Sequence, residues 1–118
     1  MIDIFHASEQ LQTKLQQSKD ERSLMKLVAS CLDNYQFATQ VKCAELDIAF
    51  AATGGKTNWV NADNTSIAFE PLPNRATTFG DLLIEHPHNY INLATPAGFI
   101  PLVDLIYTQG QLSRKQIN

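Results

Sequence analysis

The segment YINLATPAGFIPLV, Tyr90–Val103, constrains the fold more than any other part of the chain. Thr95-Pro96-Ala97-Gly98 joins a proline that presets φ to a glycine that accepts positive φ. That is the chemistry of a type I turn followed by a left-handed residue, the three-residue hairpin loop. Such a loop pairs Thr95 with Phe99, Leu93 with Pro101 and Ile91 with Val103. Those six side chains then share one nearly apolar face, and this agreement between turn and face sets the expected register. Pro101 cannot donate a ladder bond, so the second strand is expected at a sheet edge. The other face of the hairpin would carry Tyr90, Asn92, Ala94, Ile100, Leu102 and Asp104.

An apolar hairpin face needs a cover, and helices are expected upstream. Residues 2–17 read as a polar surface helix with Ile4, Leu11 and Leu15 at helical spacing. Ser18 followed by Glu21 has the form of a capping box. Leu24, Leu27, Val28, Cys31, Leu32 and Tyr35 then form a wide apolar stripe on a core helix. Residues 40–53 suit either a helix or a strand; their alanines and the trailing Gly54-Gly55 favour a helix with a glycine cap. Short β-like runs are expected at 58–61 and 65–70, a helical turn from Thr78 to Glu85, and a short helix over roughly 103–109. The expected fold is a single α+β domain over residues 1–118, with two or three N-terminal helices packed on a small antiparallel sheet and a short C-terminal helix.

Composition narrows the function classes. A chain of 118 residues buries roughly two-thirds of its unfolded surface, so neither a disulfide nor a metal is required for folding. The formal charge of −3 is spread over interspersed acids and bases. No basic run supplies the electrostatic footprint of a nucleic-acid binder. Cys31 and Cys43 show no Cys-x-x-Cys spacing. The stretch MIDIFHASEQ lacks the positive region and apolar run of a signal peptide, and no stretch reaches transmembrane length. A cytoplasmic protein without a membrane partner is the expectation.

Two motifs bear on chemistry. Gly54-Gly55-Lys56-Thr57 matches the end of a phosphate-binding loop, as in P-loop NTPases, but Phe50 stands where the wrapping glycine belongs and turn-like residues follow. No nucleotide site is assigned. His86-x-His88 would place two imidazoles on one side of a strand. With Gly80 and Gly98, these histidines resemble the first motif of the cupins, a β-barrel family that often binds a divalent metal. Asn92 and Leu93 occupy the place of the expected glutamate, and three protein ligands are normally needed. No metal or cofactor is assigned. Asp81 and Glu85 at i, i+4 read as a solvated pair, and no nucleophile elbow occurs.

Binding is the better supported class. Residues 86–103 contain no Asp, Glu, Lys or Arg. The second hairpin face mixes Ile100 and Leu102 with Tyr90, Asn92 and Asp104, as an interface mixes an apolar centre with a polar rim. Trp59, in an Asn-rich stretch, is a further contact residue. The expected function is a non-enzymatic protein-binding or self-associating accessory module of adaptor or inhibitor type. Its contact residues are Trp59, Tyr90, Ile100 and Leu102, and it acts through a homodimer or a protein partner. The alternative is a small metal-dependent or hydrolytic enzyme centred on His86 and His88.

Overall fold

A computed structural model describes residues 1–18, 20–54 and 76–115. Trp59, the Gly55-Lys56-Thr57 end of the loop motif and the expected runs at 58–61 and 65–70 lie outside the described residues. The element order is β1 (Ile2–Ala7), α1 (Glu9–Gln17), α2 (Glu21–Ser30), β2 (Tyr35–Val41), α3 (Leu46–Thr53), β3 (Leu82–Glu85), β4 (Tyr90–Thr95), β5 (Gly98–Pro101), β6 (Leu105–Thr108) and β7 (Gln111–Arg114). Strands β2-β1-β3-β4-β5 form an antiparallel sheet, and β6 pairs with β7 in a separate hairpin. The architecture is α+β, as composition and pattern suggested. Its helices are interspersed with strands, and the chain closes on strands instead of a helix.

The first correction concerns residues 2–7. They form β1, which pairs with β2 on one side and β3 on the other. A central strand is covered on both faces, so it lacks the alternation that marks a half-exposed strand. Ile2 and Ile4 pack into one core cluster, Phe5 and Ala7 into the other. Ser8 then caps α1 by accepting the Leu11 N–H at 3.2 Å. In α2 the cap is Asp20, which accepts the Ser23 N–H at 2.7 Å, so the Ser18 capping box is not the one used. The helix stops at Ser30, so Cys31, Leu32 and Tyr35 of the expected stripe fall outside it: Leu32–Asn34 form a 3-10 turn and Tyr35 opens β2.

Two cores sandwich the sheet. On one face Leu11, Leu15 and Val28 from α1 and α2 cover Phe5, Leu82, Ile84, Ile91 and Leu93. The β6–β7 hairpin covers the same face through Leu105 and Tyr107. On the other face Ala49, with Leu46 and Phe50 beside it, covers Ile2, Ile4, Leu83 and Ala94. Residues 46–53 are therefore the expected helix, capped at Gly54, while 35–41 is strand. Phe50 sits inside that helix and stacks on Phe79 with ring centroids 5.8 Å apart.

The β4–β5 hairpin forms, but its loop is one residue tighter than the turn chemistry implied. Thr95 pairs with Gly98, Ala94 with Phe99, Leu93 with Ile100 and Asn92 with Pro101. Gly98, at φ 125°, has become a strand residue with its glycine-only conformation retained. A slip of one residue moves every β5 side chain to the opposite face. Ile100 consequently joins Leu93 in the core, and Leu102 is buried. β5 is an edge strand, and Pro101 is its last residue. Residues 82–85 and 105–108 are strands where helical turns were expected. In the second case Gln109 and Gly110 both take positive φ, the two-residue turn that closes β6 onto β7.

Candidate functional site

Asp3 lies in β1, an inner strand of the sheet, and is almost fully buried. Its carboxylate is met from three directions. Gln40 Nε2 donates to Oδ1 at 2.6 Å, and the Tyr107 hydroxyl donates to Oδ2 at 2.8 Å. His86 Nε2 stands 2.9 Å from Oδ2. The pair is close but is not aligned as a hydrogen bond. The His86 ring meets the Tyr107 ring edge-on, with centroids 5.8 Å apart. Burial, with the Asp3 carboxylate beside it, pushes the Tyr107 phenol above its ordinary pKa.

His86 and His88 do not lie on a strand. They belong to the turn that joins β3 to β4, which contains a cis His86–Pro87 peptide and a left-handed Asn89. The two imidazoles accordingly go separate ways. His86 turns toward Asp3, whereas His88 is exposed and stacks on Tyr90 at a centroid distance of 5.2 Å. Among the described residues, no three potential metal-ligating side chains converge.

A second buried polar group sits at the other end of β1. Asp81 Oδ1 accepts the Ala7 N–H at 2.8 Å and Oδ2 accepts the Thr78 N–H at 2.9 Å. His6 Nε2 is 3.0 Å from the Thr77 hydroxyl and 3.9 Å from Asp81 Oδ2. The Tyr35 hydroxyl donates to the Gly80 carbonyl at 2.7 Å. Asp81 completes the backbone bonding of β1 just where β3 begins, so its chemistry is that of a clamp. The expected solvated Asp81–Glu85 pair is not present, because Asp81 is inaccessible and Glu85 is in a strand.

The exposed apolar surface is uneven. Six large hydrophobic residues are exposed among the described residues, and three of them, Tyr90, Val103 and Ile106, line one groove of about 490 Å³. Leu102, Leu105 and Ile91 form its floor. Tyr90 is 59% exposed, Val103 67% and Ile106 39%. Of the four contact residues read from sequence, Tyr90 and Leu102 meet at this groove. Ile100 is half-buried against the core. Asp3, Tyr107, Val103 and Ile106 were not singled out from sequence. The signal for the last two was in VDLIYT, where apolar residues recur too closely for one side of an element to hide them all. No family model, curated protein or solved structure matches the chain.

Proposed function

We propose that this chain is a protein-binding module whose contact face is the groove edged by Tyr90, Val103 and Ile106. The observation that carries the reading is the gathering of three exposed large hydrophobic residues around one concave floor. Single exposed apolar residues are ordinary, whereas a contiguous cluster marks a site that another surface covers. Tyr90 has the character of an interface anchor, a large amphipathic ring with little conformational freedom to lose. The neighbouring turn brings His88 and Asn89 as a polar rim.

A photo-crosslinking residue at Val103 or Ile106 tests this in the producing cell. A discrete adduct is expected at both positions and none at Gln36, which is also exposed but lies on β2 away from the groove. An adduct of twice the 13.2 kDa chain mass would identify a second copy as the partner. Absence of any discrete adduct at Val103 and Ile106 would overturn the proposal.

One observation favours the enzymatic alternative. His86 Nε2 stands 2.9 Å from Asp3 Oδ2, an imidazole–carboxylate juxtaposition of the kind general-base sites use, although the ring is not aligned for a hydrogen bond here. On this reading His86 would be the base and Asp3 the positioning residue, with His88 at the mouth of the turn. A nucleophile within reach of His86 would be needed to complete it, and the hydroxyl of Tyr107, whose ring meets His86, is engaged with Asp3.

A further inference from the structure

Beside the apolar groove runs a second trough of about 810 Å³, between α2 and the β6–β7 hairpin. Its floor is apolar, made by Met25, Ala29, Leu102 and Leu105. Its two walls are basic. Arg22 and Lys26 stand one turn apart on α2, and Arg114 and Lys115 stand at the end of β7. These are four of the nine Lys and Arg in a chain whose net charge is −3. Asp104 is the one acid among the trough-lining residues. None of the four cations lies within ion-pair distance of a carboxylate among the described residues. The spacing on α2 arranges this: Arg22, Met25, Lys26 and Ala29 recur at i, i+3, i+4 and i+7 along the trough, with Arg22 and Lys26 exposed and Met25 and Ala29 half-buried against the core.

We infer that this trough binds an acidic amphipathic segment of a partner protein, with aliphatic side chains on the floor and carboxylates against both walls. The inference rests on the protein-binding reading and names the chemistry of the partner. Charge complementarity selects the occupant. The four cations, without an ion-pair partner among the described residues, repel one another across the trough, and an acidic segment relieves that repulsion. The apolar floor distinguishes this from a polyphosphate site, because a nucleic-acid backbone has nothing to place against Met25 and Leu105. The concave form argues against a membrane surface, which needs a protruding face to enter the headgroup region. A groove between a helix and a hairpin suits a segment laid in as a helix with anchors at i, i+3, i+4 and i+7.

Selection from a display library of random sixteen-residue peptides on the intact chain tests this without choosing the ligand. Enriched peptides should combine Asp or Glu with Leu, Ile or Phe at helical spacing. In fluorescence anisotropy, Arg22→Glu with Lys26→Glu should weaken an enriched peptide at least tenfold, and so should raising salt from about 50 to 500 mM. Both residues are exposed, so the variant should keep the wild-type melting curve. Gln36→Glu, exposed on β2 and outside the trough lining, should leave this affinity unchanged. Enrichment of neutral or basic peptides, equal affinity for a scrambled peptide, or tighter binding of a single-stranded oligonucleotide, phosphatidylserine vesicles or laurate would each overturn the inference. If Val103 still crosslinks in cells while acidic peptides fail, the trough assignment falls and the protein-binding module stands.

Discussion

Replacing Asp81 should cost this protein a large part of its stability. The carboxylate is wholly inaccessible, and each oxygen accepts one backbone N–H, from Ala7 and from Thr78. Water cannot replace the lost acceptor without opening the site. In Asp81→Asn one oxygen survives and the other becomes an amide NH₂ aimed at a backbone N–H. A charge-assisted bond is lost and a donor is set against a donor, together about 2–4 kcal/mol. In Asp81→Ala both N–H groups lose their acceptor, about 3–6 kcal/mol. A domain of this kind is stable by about 5–15 kcal/mol, so the alanine variant approaches unfolding at room temperature. Urea unfolding followed by far-ultraviolet circular dichroism measures both, with Asp104→Ala as an exposed control expected to stay within about 0.5 kcal/mol. An asparagine variant within about 0.5 kcal/mol of the wild type would refute the clamp reasoning, since it would mean that the backbone at Ala7 and Thr78 does not depend on the charge.

Three further outcomes are expected. Because the Tyr107 phenol is held protonated in the folded state, its contribution is complete below about pH 10; above that the unfolded chain ionises first and stability falls by about 1.4 kcal/mol per pH unit. Tyr107→Phe should remove that alkaline slope in urea titrations between about pH 9 and 11.5, and an unchanged slope would show that the group is not the cause. Leu102→Ala should cost about 2–4 kcal/mol, while Val103→Asp, next to it but exposed, should leave the unfolding midpoint nearly unchanged; the reverse order would mean that the edge of the sheet is mispaired. Protein purified without a histidine tag should carry no stoichiometric zinc or iron by mass spectrometry, since His86 and His88 are committed to different neighbours; about one ion per chain, lost in His86→Ala with His88→Ala, would restore the enzymatic alternative.

What could be read from sequence was what local chemistry decides. The hairpin at 90–101 was visible because proline, glycine and an apolar pattern coincide there, and the edge position of β5 followed from Pro101 alone. Residues 40–53 suited either a helix or a strand, with alanines and a glycine cap favouring the helix that forms over 46–53. β1 was not visible, because IDIFHA is buried on both faces and its spacing of Ile4, Leu11 and Leu15 imitates a helix by accident. The hairpin register was missed by one residue, since turn residues permit two loop lengths and only packing against Leu93 chooses between them. The Asp3 cluster was beyond local reasoning. Tyr107 and Asp3 are 104 positions apart, and nothing in either segment announces the other.

The place of β1 in the sheet also governs when the fold can be completed. Its end is tied to Asp81 across 74 positions, and its whole β3 side waits for residues 82–85. Contacts of such long sequence separation slow folding, because the chain between them must lose its freedom before any pairing rewards it. Until β3 has left the ribosome, β1 has β2 and the helices beside it but one of its hydrogen-bonding edges is without its native partner. That interval is when aggregation competes with folding. Slower translation or lower temperature after β2 would not shorten it; only the arrival of residues 82–85 closes the seam.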